Sequence, residues 1–310
     1  MNITKEMLER DGIEASINGH DVKIEVMPQM GANLCSFIVD GKELIHCADD
    51  EMLDAETMRG CFHMFPTPCR LPDGKYSFQG KDYVQMKGGK PVVIHGLLRD
   101  EKMEIAKGNN TLTASVDITP SNPIYEGYPF PCTFALEYKL IERGVEIRFT
   151  YQNTGNEDAP FGYGLHPFWK ITGERKDTAV QVPCSYLMEL ANLVPTGEII
   201  SVEGNLDLRK PTSLEGVDID NLFWDRDKSS PALIEYRAEG KKLVLEASNI
   251  FNHMIAFAPA GNPFVCVEFL TCAPNQINLY KGPENDVSGL IIAPPNAKVE
   301  GWVRYVLTDL

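Results

Sequence analysis

Short runs in which apolar and polar residues alternate, or in which β-branched residues cluster, recur along the whole chain. They are VKIEV (22–26), LCSFIV (34–39), PVVIHGLL (91–98), LTASVDI (112–118), FALEYKLI (134–141), VEIRFTY (145–151), AVQVP (179–183), ALIEYRA (232–238), LVLEAS (243–248), FVCVEF (264–269), GLIIAP (289–294) and VRYVL (303–307). A period of two places alternate side chains on opposite faces of an extended backbone, so each run predicts a strand. Tight turns KGNN (107–110), ERGV (142–145) and AEGKK (238–242) predict hairpins between sequence-adjacent strands. Helical periodicity is weak, apart from short turns expected near TKEMLERDG (4–12) and DDEMLDAETM (49–58). An all-β, antiparallel architecture follows, too long for one immunoglobulin-like unit, and a large two-sheet β-sandwich fits best. The longest stretch without strand character runs from Asp50 to about Lys75, and it reads as a loop on which a rigid sheet positions functional residues.

Composition narrows the partners. With 310 residues, 43% of them hydrophobic, the chain can bury a large core. No linker or internal repeat divides it, so residues 1–310 are expected to form a single domain. The net charge of −15, from 44 acidic and 29 basic residues, repels nucleic acid and anionic membrane surfaces and excludes both as partners. A small neutral ligand is indifferent to that field, whereas a phosphorylated one needs a local basic pocket. The N-terminus lacks the marks of a signal peptide and no segment approaches 18 apolar residues, which predicts a cytoplasmic protein; a monomer or weak homodimer is expected. The eight cysteines form no CxxC pair and read as buried free thiols. The histidines at 20, 46, 63, 95, 166 and 253 show no metal-ligand spacing, so neither a metal nor another cofactor is expected.

Several ionisable residues stand where apolar ones would be ordinary. In GYGLHPFWK (162–170), Gly162, Gly164, His166 and Phe168 share one face if the stretch is extended, so two bare positions lead up to a histidine. In FVCVEFL, both faces are apolar apart from Glu268; burial raises a carboxyl pKa towards the range of an effective general base. His95 ends the apolar run PVVIHG, Asp220 lies near Phe223 and Trp224, and Arg70 lies among Phe62, His63 and Phe65. Aromatic rings beside a carboxylate suit a sugar, whose C–H face stacks while its hydroxyls seek charged partners.

In chain order, the segments GANLCSFIVDGKELI, FPTPCRLPDGKYSFQGKDY, HGLLRD, GYGLHPFWKI, DIDNLFW and FVCVEFLTCAP, followed by a glycine-containing C-terminal strand pair, resemble the aldose 1-epimerase (galactose mutarotase) family over about residues 20–308. The resemblance implies a large antiparallel β-sandwich that interconverts sugar anomers. It places the family's sugar-contacting arginine on Arg70, its first histidine on His95, its second on His166, its hydroxyl-binding aspartate on Asp220 and its catalytic glutamate on Glu268. Where the family has Asn-Arg this chain has Cys69-Arg70, and His-Pro-Tyr-Phe-Asn-Leu becomes His166-Pro167-Phe168-Trp169-Lys170-Ile171. The implied roles are Glu268 as base and His166 as acid, with His95 steadying the ring oxygen or carbonyl, and Arg70 and Asp220 holding hydroxyls. Gly162 and Gly164 would let the flat sugar approach His166. Two alternatives remain open. The substrate could be a hexose 6-phosphate, with Arg70, Arg99, Lys170, Arg175 and Lys176 as candidate phosphate contacts, or the chain could be a non-catalytic carbohydrate-binding or sensing sandwich.

Overall fold

The computed structural model describes residues 6–47 and 59–310. Its strands are antiparallel and fall mainly into two large sheets. The first has twelve strands among the described residues, and its main path runs Asp11–Ile17, His20–Met27, Asn33–Val39, Cys61–Met64, Gly164–Pro167, Phe264–Leu270, His253–Ala258, Ile219–Arg226, Cys184–Ala191, Val194–Ser201. The second has nine, in the order Glu104–Lys107, Thr111–Ile118, Cys132–Ile141, Gly144–Asn153, Lys298–Asp309, Lys241–Ala247, Ala232–Tyr236, Thr178–Gln181, Thr212–Ser213. The three predicted hairpins form as expected, for example with Ile141 opposite Gly144 across the ERGV turn.

Both sheets turn an apolar face to one shared core. Val265, Val267 and Phe269 reach it from one sheet, Phe134, Phe149 and Tyr305 from the other. Each fully buried ring of this size contributes roughly 1.5–3 kcal/mol relative to exposure. The opposite face of the larger sheet is also apolar in its middle, where Phe62, Met188, Leu222, Ile255, Phe264 and Cys266 form a second cluster. That second face is where the site lies.

Three differences from the sequence reading matter. Of PVVIHGLL only Pro91 is in a strand; His95 and Gly96 have φ of 63° and 71°, and their segment hydrogen-bonds to residues 65–69 instead. Cys61–Met64 is a central strand, although it falls in the stretch read as a loop. Cys184–Ala191, Val194–Ser201, Ile219–Arg226 and His253–Ala258 are strands that alternation did not reveal. The short turn expected within residues 4–12 is present as a 3₁₀ turn at Glu6–Leu8, while the turn expected at 49–58 lies outside the described residues. The eight cysteines are all free, seven of them buried. No helix among the described residues is long and apolar enough to cross a membrane.

Candidate active site

Alternation along Phe264–Leu270 decides which side chains face the site. Odd-numbered residues enter the core between the sheets, and Phe264, Cys266, Glu268 and Leu270 project to the other side. The neighbouring strand Gly164–Pro167 pairs with both Phe264–Leu270 and Cys61–Met64, with His166 opposite Phe62. This places Nε2 of His166 3.3 Å from Oε1 of Glu268. The two residues are 7% and 1% exposed. Nδ1 of His166 and Oε2 of Glu268 have no protein hydrogen-bond partner among the described residues.

Above this floor, two irregular segments are laced together. His95 N–H donates to the Cys69 carbonyl at 2.7 Å, Leu71 N–H to Val93 at 2.8 Å, and Leu97 N–H to Phe65 at 2.7 Å. Gly96 is required at this crossing, because its φ is left-handed and a Cβ would sit 2.3 Å from the Phe65 carbonyl oxygen. The lacing carries Arg70 and His95 over the sheet. The His95 ring stands edge-on to His166 with centroids 5.2 Å apart, and its Nδ1 lies 3.1 Å from Met64 Sδ. Asp220, on Ile219–Arg226, completes the mouth opposite. All five residues singled out in the sequence therefore line one cavity of about 490 Å³, a size suited to a small molecule. Arg70 and Asp220 are exposed at its rim, while His166 and Glu268 lie at its base.

The electrostatics follow from this layering. Burial holds the Glu268 carboxyl well above the usual carboxylate range, and the charge of Asp220 adds to the effect. Burial also pushes His166 well below the usual imidazole range, reinforced by His95 and Arg99. His95 is pushed down to about 3 by burial, then by Arg99 and Arg70. Partial desolvation raises Asp220, opposed by Arg70. Within the His166–Glu268 pair these opposite shifts favour the proton on Glu268, and both histidines are favoured in the neutral form.

Some expectations are corrected. Gly162 and Gly164 do not line the cavity: a Cβ at Gly162 would fall 2.1 Å from Cys272 Sγ, and one at Gly164 3.0 Å from Met64 Cε, so protein packing fills the bare face. Phe223 is fully buried between the sheets, and Trp224 is not among the lining residues; the rings that line the cavity are Phe62, Phe168, Phe257 and Phe264. Of the basic residues considered for phosphate, Arg70 and Arg99 line the cavity and Lys170 does not. The Arg175 guanidinium donates to the carbonyls of Leu214, Val217, Ala258, Pro259 and Asn262, and Lys176 pairs with Glu174 at the surface. Arg59, unremarked in the sequence, also lines the cavity and stacks 4.4 Å over Phe264; its one signal was its place just ahead of the aromatic run CFHMF. The fold also gathers His166, Cys266 and Glu268 with ligating atoms within 4.8 Å of one another, a grouping no sequence spacing announced.

Comparison with known proteins adds the following. Residues 16–306 match the family model described as aldose 1-epimerase. The uncharacterized protein YihR of Escherichia coli K12 is 26% identical over 245 residues, covering 76% of this chain and 70% of that protein. Galactose mutarotase of Bos taurus is 26% identical over 152 residues, 47% of this chain and 44% of that one. Among solved structures, a galactose mutarotase-like protein from Clostridium acetobutylicum superposes with a TM-score of 0.82 at 20% identity, over 98% of this chain and 100% of that one. A galactose mutarotase-like protein from Lactobacillus casei gives 0.78 at 19%, over 97% and 100%. These structural likenesses establish the fold.

Proposed function

Since the chain belongs to the aldose 1-epimerase family, we propose that it interconverts the α- and β-anomers of a hexose by opening and reclosing the sugar ring. The observation that carries this reading is the buried contact of 3.3 Å between His166 and Glu268 at the base of the cavity. Ring opening needs a base at the C1 hydroxyl and an acid at the ring oxygen, acting together. A neighbouring imidazole and carboxyl that share one proton supply both.

The reactive form places the negative charge on Glu268 and the proton on His166. It is reached from the resting form by transfer across the short contact as the sugar's hydroxyls donate to the carboxylate. Glu268 then takes the proton from the C1 hydroxyl while the bond from C1 to the ring oxygen breaks. A C1 carbonyl forms, and His166 delivers its proton to the departing oxygen. Rotation about C1–C2 presents the other carbonyl face, and the reverse transfers close the ring with both residues restored. No electron leaves the system, and the two transfers need no metal. Arg70 and Asp220 at the rim hold sugar hydroxyls through charge-assisted hydrogen bonds, so that the opened chain stays in place. His95, kept neutral, offers a donor or acceptor to the carbonyl without adding a charge.

Two-dimensional NMR exchange on equilibrated α/β-glucose and α/β-galactose tests the function directly. Exchange cross-peaks growing in proportion to protein concentration support it. Rates equal to those in buffer alone, for these sugars and their charged derivatives, reject it.

A further inference from the structure

One reactive side chain beside the site has no part in ring opening. Cys266 projects from Phe264–Leu270 on the same face as Glu268 and lies fully buried just behind the residues that line the cavity. The register that pairs Gly164 with Leu270 and Trp169 with Val265 sets His166 across from Glu268, so Cys266 is one step along the strand from that pair. An imidazole nitrogen, a thiol sulfur and a carboxyl oxygen thereby come within 4.8 Å of one another. Nδ1 of His166 and Oε2 of Glu268 have no protein hydrogen-bond partner among the described residues, and a buried polar atom left unpartnered marks a place for water or an ion.

The donor set and its spacing suit zinc. Nitrogen and oxygen ligands bound at about 2.0–2.1 Å in a tetrahedron stand roughly 3.3 Å apart, and Nε2 of His166 is 3.3 Å from Oε1 of Glu268. A thiolate bound at about 2.3 Å stands roughly 3.6 Å from each of them. From within 4.8 Å, the Cys266 sulfur has about 1 Å at most to close, a small turn about its Cα–Cβ bond. One thiolate and one carboxylate cancel the charge of a divalent ion, so the loaded site is neutral, the state a buried site tolerates best. Magnesium and calcium, which call for six or more oxygen ligands, do not match this set. His166 and Glu268 line the cavity, so the ion enters from there and its fourth position faces the cavity.

We propose that His166, Cys266 and Glu268 form a zinc site at the base of the cavity, and that the bound ion switches the protein off. The site stands on this geometry alone; its inhibitory effect rests on the ring-opening function proposed for the same cavity. Zn²⁺ takes the imidazole lone pair of His166 and the carboxylate of Glu268, the two groups that move protons to and from the sugar. The thiol and carboxyl protons leave to solvent as the ion binds. With both groups engaged on the metal, neither proton transfer proceeds.

Absorption spectra of the unaltered, metal-free protein titrated with Co²⁺, a tetrahedral stand-in for zinc, test the site without any sugar. A thiolate-to-cobalt charge-transfer band and the intense visible bands of tetrahedral Co²⁺ are expected, bleached by added Zn²⁺ and untouched by Mg²⁺. Absence of the charge-transfer band overturns the inference. Loss of even a ligand's outer hydrogen-bond partner costs roughly 10–100-fold in metal affinity, so loss of the ligand itself in Cys266→Ala should weaken Zn²⁺ binding roughly 100-fold or more. An undiminished band in that folded variant overturns the assignment to Cys266. In NMR exchange, the zinc-saturated protein should interconvert anomers ~10²-fold more slowly than the metal-free protein, with the rate restored by EDTA. Full turnover by the zinc-saturated protein overturns the inference and leaves the mutarotase function standing. No turnover of any sugar, with or without metal, removes the function, and the cobalt spectrum still decides the site. The spectra of the unaltered protein stand whether or not the variant folds.

Discussion

At the scale of single residues, the proposal turns on one shared proton. Glu268→Gln keeps shape and hydrogen bonding but removes the acceptor, so exchange is expected to slow by ~10²-fold or more with sugar binding retained, and His166→Asn should do the same. The double variant should be scarcely slower than either single one, because each alone already breaks the concerted pair. A Glu268→Gln protein that works at the unaltered rate would move the search for a base to His95. The pH profile is a second test. The active pair holds one proton: acid adds a second at His166, and alkali removes the one that remains. Since burial lowers His166 from 6.5 and raises Glu268 from 4.5, kcat/KM should be flat across neutral pH, with an acid limb well below 6.5. An acid limb centred at 6.5 would mean that His166 titrates like an exposed imidazole. These two residues were legible in the sequence because each is ionisable and sits in an apolar pattern. Arg59 was not, since an arginine beside a glycine looks like any surface residue until the fold lays it over Phe264.

At the scale of elements, the site depends on how two irregular segments are fastened over a sheet. Gly96→Ala would need a left-handed alanine whose Cβ meets the Phe65 carbonyl at 2.3 Å. Strain and the weakened hydrogen bond from Leu97 predict a loss of about 1–3 kcal/mol, with a raised KM as Arg70 and His95 shift. Gly19→Ala is the control: its φ is 85° but nothing lies within 4 Å of the added Cβ, so only strain of about 1 kcal/mol is expected, with kinetics unchanged. Thermal unfolding and exchange kinetics on both variants separate the two effects, and equal KM values in both would show that the crossing does not position the site. The legibility of each element has the same physical root as its packing. Strands that bury one face, such as Thr111–Ile118 with its regular in-and-out burial, alternate plainly in sequence. Those packed on both faces do not: Cys61–Met64 is buried at all four positions and carries no period-two signal. His253–Ala258, which feeds the shared core on one side and the cavity cluster on the other, is hidden in the same way. Two of the strands that build the site are therefore ones that alternation conceals, whereas Phe264–Leu270, also buried on both faces, shows itself through its β-branched residues.

At the scale of the whole molecule, the two sheets share one apolar core, and we expect residues 1–310 to unfold as a single domain in one transition. His63 ties the layers together. Tyr138, from the nine-stranded sheet, donates its hydroxyl to the Ala32 carbonyl and so accepts from Nε2–H of His63, while Nδ1 accepts from the Tyr163 hydroxyl. That network uses neutral imidazole, and burial pushes His63 down to about 3, as it does His95, with His253 at about 4. Each of the three has a native pKa below its unfolded value of 6.5, so below pH 6.5 the unfolded chain binds protons that the native one refuses. Stability is full above 6.5 and declines as pH falls towards the native values, by about 1.4 kcal/mol per pH unit for each histidine. Glu268 acts oppositely, since its raised pKa removes stability as pH climbs past 4.5, which sets the optimum between the two effects. The melting temperature should therefore fall steeply from pH 6.5 to pH 4.5. His63→Gln should unfold with about one fewer proton taken up at pH 5, whatever its absolute stability. Proton uptake at that pH identical to the unaltered protein would mean that His63 is not held neutral by the core.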